Sequence, residues 1–93
     1  PPAAVFKAAH AAAHTMGWAI AAAVEGEGRI EATATTRLLR FKDDVIIRIR
    51  AADLGTRLDI RSTSRIGGGD LGANAKRIRA FLLELNKHLK TNT

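Results

Sequence analysis

His10 and His14 stand four residues apart, the spacing at which one helix face can present two imidazoles to a single metal ion. No glutamate follows His10 directly, so the zinc-protease pattern is absent, and His88 joins them only if the helix ends meet. Both histidines fall on the polar stripe of their helix, which favours solvated surface over a metal site, and no metal or cofactor is expected. For nucleophilic catalysis the chain offers Ser62, Ser64 and scattered threonines, without a histidine and carboxylate in a recognisable arrangement. Both serines point inward on a strand beside the start of the last helix. Their hydroxyls are expected to bond Asn74, Asp70 or nearby backbone, satisfying buried polar groups. There is no cysteine, hence no disulfide and no thiolate nucleophile. Gly67-Gly68-Gly69-Asp70 before a helix invites a phosphate-loop reading, because helix N-termini bind anions through free N–H groups. But no Gly-Lys-Ser/Thr ending follows, and Asp70 takes the anion position itself, as a helix cap does. No nucleophile, acid or base set converges, so the chain reads as non-enzymatic.

Two polar and small-residue groups are candidates for binding instead. The first is a basic one: Arg48, Arg57, Asp59, Arg61 and Arg65 at outward strand positions, continued by Asp70 and Asn74 at the helix start. Arg57, Arg61 and Arg65 are expected to lack enough acidic partners. With 15 Lys+Arg against 9 Asp+Glu the net charge is +6, which favours polyanions: nucleic acid, anionic lipid headgroups or an acidic protein surface. Nucleic acid is not the expected partner, because basic charge alone gives salt-sensitive, sequence-blind affinity. An anionic membrane surface stays open. The second group is Ala19, Ala21, Ala23, Thr33, Thr35 and Ile46, a flat patch of small side chains rimmed by arginines. Another protein, or a second copy of this chain, could approach closely there.

These residues need elements to position them. Val5, Phe6, Ala9, Ala12, Ala13 and Met16 form one stripe at helical spacing, predicting a helix over Ala3–Met16 that ends at Gly17. Four segments of period-two alternation follow. Their inward faces carry Trp18, Ile20, Ala22 and Val24; then Ile30, Ala32, Ala34, Thr36 and Leu38; then Val45, Ile47 and Ile49; then Leu58, Ile60, Ser62, Ser64 and Ile66. Such alternation argues for an antiparallel sheet with one covered and one solvated face. Glu25-Gly26-Glu27-Gly28 is a turn. The last helix is expected from about Leu71 to His88, capped by Asp70, with Ile78, Phe81, Leu82, Leu85 and Leu89 buried; Lys90 to Thr93 should fray.

Short connections make neighbours antiparallel. The fold class is therefore α+β, a four-stranded antiparallel meander with both helices on its inner face in the order α-β-β-β-β-α. On the outer face, opposite charges predict the register: Arg37 against Asp44, Glu31 against Arg50, Arg48 against Asp59. Each such pair contributes roughly 0.2–1 kcal/mol.

At 93 residues the chain is a single domain over residues 1–93, and a chain of this size buries only about 60–65% of its unfolded surface. No apolar run approaches a membrane span, the longest being Ala19–Val24, which reads as a strand. No signal peptide is visible, and a start at Pro1-Pro2 is expected of a domain excised or processed from a longer protein.

Phe41-Lys42-Asp43-Asp44, Asp59 to Gly67 and Asp70-Leu71-Gly72-Ala73-Asn74 with Arg77-Ile78 resemble the bacterial and plastid family called domain of unknown function 1499. Gly17-Trp18-Ala19-Ile20 and Gly28-Arg29-Ile30-Glu31-Ala32 are similar to it as well. The resemblance covers nearly the whole chain, although the family's upstream segment with its Asn-Cys pair is absent. It implies no activity and no catalytic residue, and it implies an envelope location, since members of similar layout often sit behind signal or membrane segments. The element order is also similar to the helix-grip modules of outer-membrane assembly lipoproteins, which bind protein partners; that is an analogy of fold alone.

Overall fold

A computed structural model describes residues 1–36, 40–65 and 71–91, the side chains of Leu71 and Thr91 excepted. The order is α1 (Pro2–Thr15), β1 (Ala19–Val24), a single 3-10 turn (Glu25–Glu27), β2 (Arg29–Thr35), β3 (Lys42–Ala52), β4 (Gly55–Ser64) and α2 (Leu71–Thr91). The strands lie in the sheet in chain order, every neighbour antiparallel. This is the α+β meander expected from the alternation.

α1 begins on Pro2 at its first turn, where a missing N–H costs nothing, and the Pro1 carbonyl accepts from the amides of Ala4 and Val5, each at 3.1 Å. It ends as the sequence predicts. Gly17 takes a φ of +81°, its amide reaches the His14 carbonyl at 3.0 Å, and the Trp18 amide reaches Ala13 at 3.2 Å, the paired closure of a Schellman motif. The turn delivers Trp18 into the core, where it stacks on Phe81 of α2 with ring centroids 5.2 Å apart and planes inclined by 14°. Ala8, Ala9, Ala12 and Ala13 of α1 are fully buried; with no side chain beyond Cβ, they let the helix sit close to its neighbours. Between helices and sheet lie Phe6, Ile30, Ala32, Ala34, Val45, Ile47, Ile49, Phe81 and Leu85.

The buried stripe of α2 departs from expectation at one residue. Phe81 and Leu85 are buried and Ile78 and Leu89 half-buried, but Leu82 is exposed. A step of 100° per residue carries it off the Phe81–Leu85 line towards solvent. The helix also continues through Lys90 to Thr91 rather than fraying at Lys90. Asp70, the expected cap, lies outside the described residues, as do Arg37, Leu38 and Ile66.

The β2–β3 register is the larger correction. Arg29 faces Arg48, Glu31 faces Ile46 and Thr33 faces Asp44, four residues away from the pairing that would match Glu31 with Arg50. Gly28 supplies the reason. Its φ is +63°, its carbonyl accepts from the Ile49 amide at 2.7 Å, and a Cβ there would lie 1.9 Å from the Ile49 carbonyl oxygen. Only glycine fits that crossing, so the ladder locks where Gly28 meets Ile49. At the other end, Thr36 and Phe41 close the loop, with the Thr36 amide on the Phe41 carbonyl and the Phe41 amide on the Thr36 hydroxyl, both at 2.8 Å. A backbone fit of this kind outweighs solvated ion pairs. The β3–β4 register agrees with expectation, Arg48 facing Asp59. In β1 a bulge between Ile20 and Ala22 shifts the pairing, so that Ala19 faces Thr33 while Ala22 faces Glu31.

Candidate functional site

Two polar constellations occupy opposite faces of the β3–β4 half of the sheet. The inner one starts from strand parity. Asp43 shares the inward side of β3 with Val45, Ile47 and Ile49, so its carboxylate is buried, its side chain only 5% exposed. Ser64, directly across the ladder, and Ser62 point the same way from β4. From above, the first turns of α2 lower Asn74 and Arg77, three residues apart and thus on one helix face.

The side chains close on each other. Arg77 Nη1 lies 2.8 Å from Asp43 Oδ2, 2.7 Å from Asn74 Oδ1 and 3.0 Å from Ser62 Oγ. Ser62 donates to Asn74 Oδ1 at 2.6 Å, and Asn74 Nδ2 donates to Ser64 Oγ at 3.1 Å. Of the partners expected for the serines, Asn74, Asp70 or nearby backbone, it is Asn74 that bonds both. Asp43 and Arg77 complete the cluster, and sequence reasoning missed both. Parity placed Asp43 inward, and the i, i+3 step from Asn74 placed Arg77 beside it; those were the available signals. Chemically the cluster is saturated: the Ser62 hydroxyl is spent on an amide oxygen, and its other close neighbour is a guanidinium, which cannot take a proton. The cluster ties the end of β4 and the start of β3 to the root of α2.

The outer constellation is solvated. Asp44 faces away from the core and receives Arg65 through both Nε, at 3.0 Å, and Nη2, at 2.9 Å, while Arg65 Nη2 also reaches Thr33 Oγ1 at 3.3 Å. The hydrogen bond and the charge of Asp44 hold the Arg65 guanidinium above its ordinary pKa. Asp59, although opposite Arg48 in the ladder, turns along its own strand to Arg57 at 3.1 Å. Arg57 and Arg65 are therefore partnered, contrary to the expectation that they form part of an unpaired surplus. Arg29, left facing Arg48 by the observed register, is held by Glu27 at 3.3 Å and Glu31 at 3.7 Å. Among the arginines of β3 and β4, Arg48, Arg50 and Arg61 make no ion pair with a described residue. Ile46, Arg48, Asp59, Ile60 and Arg61 line a depression here.

The small-residue group lies on the same outer face. Ala19, Ala21, Ala23 and Thr35 are exposed, and Thr33 and Ile46 half-exposed. Ala19 stands opposite Thr33 across the β1–β2 ladder. Of the histidines, His14 is exposed and His88 Nε2 lies 3.1 Å from Thr15 Oγ1, which does bring the C-terminal ends of the two helices together. No group of three metal-binding side chains forms among the described residues. Asp70 and the three glycines before it lie outside them.

Residues 1–85 match the family described as "Protein of unknown function (DUF1499)". The chain belongs to that family. No curated protein matches it. The inner constellation gives the DUF1499 resemblance a physical content. The segments that carry it around Asp43, Ser62, Ser64, Asn74 and Arg77 are the three pieces of backbone that the buried cluster joins.

Proposed function

We propose that this DUF1499 domain is a non-enzymatic interaction module, acting in a bacterial envelope, that docks an acidic protein surface on the outer face of its sheet. One observation carries the reading. Both helices and the whole core lie on the inner face, leaving an outer face that combines small side chains on β1 and β2 with the unpaired Arg48, Arg50 and Arg61 on β3 and β4. Small side chains admit another backbone closely; unpaired guanidinium groups favour a carboxylate-bearing partner and disfavour a second copy of this basic face. The saturated inner cluster supports a structural role for the only buried ionic group described.

A second reading, an anionic small ligand or headgroup held in the Arg48–Arg61 depression, is favoured by the arginines and opposed by the Asp59 carboxylate in its lining. The test is capture of a partner from native envelope by the wild-type chain, compared with two variants. Ala19→Arg with Thr33→Arg blocks close approach; Arg48→Glu with Arg61→Glu reverses the charge. A protein partner on this face is lost with both pairs. Loss with the second pair alone, together with steep weakening between low and physiological salt, indicates the anionic ligand instead. Capture indifferent to both pairs refutes the sheet face as a site.

A further inference from the structure

The solvent side of α2 carries a second, independent surface, on a different element from the outer sheet face. Along its 21 residues, Gly72, Ala75, Lys76, Arg79, Leu82, Leu83, Asn86, Lys87 and Lys90 are all exposed, and a step of 100° per residue gathers them into one face. Leu83, 65% exposed, presents its apolar side chain to water within that face, and Leu82, 38% exposed, lies at its edge beside the half-buried Leu89. Four cations bracket Leu83, Lys76 and Arg79 before it and Lys87 and Lys90 after it. No carboxylate lies among them; Glu84, mostly covered at the border, reaches Lys87 at 3.3 Å.

We propose that α2 lays this face on an anionic lipid surface. Leu82 and Leu83 enter the boundary between headgroups and acyl chains, and Lys76, Arg79, Lys87 and Lys90 meet the phosphates. The charge pattern selects this occupant: a protein groove would supply carboxylates at fixed points, whereas an exposed leucine among long cations, with a second leucine at the edge of the same face, matches a continuous plane that is apolar inside and anionic outside. Basic side chains of this length keep their charge at the headgroups while their stems lie along the apolar layer. The contact is peripheral, since no helix among the described residues is long and apolar enough to cross a membrane.

The experiment is co-sedimentation of the full chain with phosphatidylcholine vesicles containing about 30 mol% phosphatidylglycerol, beside vesicles of phosphatidylcholine alone. The chain should bind the anionic vesicles only. Leu82→Ser with Leu83→Ser should weaken that binding by roughly tenfold or more, and Lys76→Glu with Arg79→Glu should abolish it; both leucines are solvent-exposed, and circular dichroism confirms the fold of each variant. The Arg48→Glu, Arg61→Glu variant should bind as wild type, which separates this surface from the one on the sheet. Absence of binding to anionic vesicles overturns the proposal. So does binding that ignores the leucine pair, which would be a generic polyanion contact, or binding that disappears with Arg48 and Arg61.

Discussion

Arg77 is the residue on which the inner cluster depends, because its one guanidinium meets Asp43, Asn74 and Ser62 at 2.7–3.0 Å in a site that water scarcely reaches. Removing one member of a buried ion pair leaves the other as an uncompensated charge, at a typical cost of 3–5 kcal/mol, whereas removing both is often close to neutral. Arg77→Met should therefore destabilise the domain by about 3–5 kcal/mol in urea unfolding, and adding Asp43→Leu should restore a good part of the loss. If the double variant is no more stable than the single one, the pair is not the source of the cost. Gly28 is the second such residue, for a steric reason. A methyl group 1.9 Å from the Ile49 carbonyl oxygen cannot be accommodated without parting the strands, and the +63° φ disfavours alanine besides. Gly28→Ala should lower the melting temperature far more than Gly26→Ala, whose added Cβ meets nothing within 4 Å.

At the scale of elements, the sequence made the alternating strands and the amphipathic helices readable, because each has one face that must leave water. Ile30, Val45 and Ile47 on the sheet and Phe6 and Phe81 on the helices are buried where periodicity put them. Register was half legible. The β3–β4 pairing followed from placing Arg48 against Asp59, but across β2 and β3 the ion-pair argument misjudged which effect is larger. A single glycine crossing sets that ladder, and its closeness is visible only once two strands lie together. The site was legible to a similar degree. Ser62, Ser64 and Asn74 were readable as partners because inward hydroxyls need one. Asp43 was not, because a carboxylate at the end of an apolar strand reads as the first solvated residue rather than the last buried one. The exposure of Leu82 follows from the same limit: a stripe drawn from residue types cannot distinguish a core leucine from one aimed outward.

For the molecule as a whole, Trp18 and Phe81 join what the chain separates by more than sixty residues. Their stacking ties the α1–β1 corner to the middle of α2, and with the Thr15–His88 contact it binds the helices into one layer. The chain has a single tryptophan, so its fluorescence reports this junction. Urea unfolding followed by that signal and by far-ultraviolet circular dichroism should give coincident transitions, as a single cooperative core requires. Phe81→Ala should shift both together, by about 3–5 kcal/mol. A fluorescence transition that precedes the loss of helix would instead mean that the helical layer detaches from the sheet before the sheet unfolds.

The bulge between Ile20 and Ala22 has a bearing on how this protein meets others. β1 is a terminal strand, short, uncharged and almost wholly alanine and aliphatic, the kind of edge along which identical chains stack into extended sheets. The inserted residue breaks the even spacing of its hydrogen-bonding groups and twists the strand. Growth of the sheet by lateral addition is thereby discouraged, while the flat side remains smooth. The margin of β1 is in this way made a poor template for a further strand.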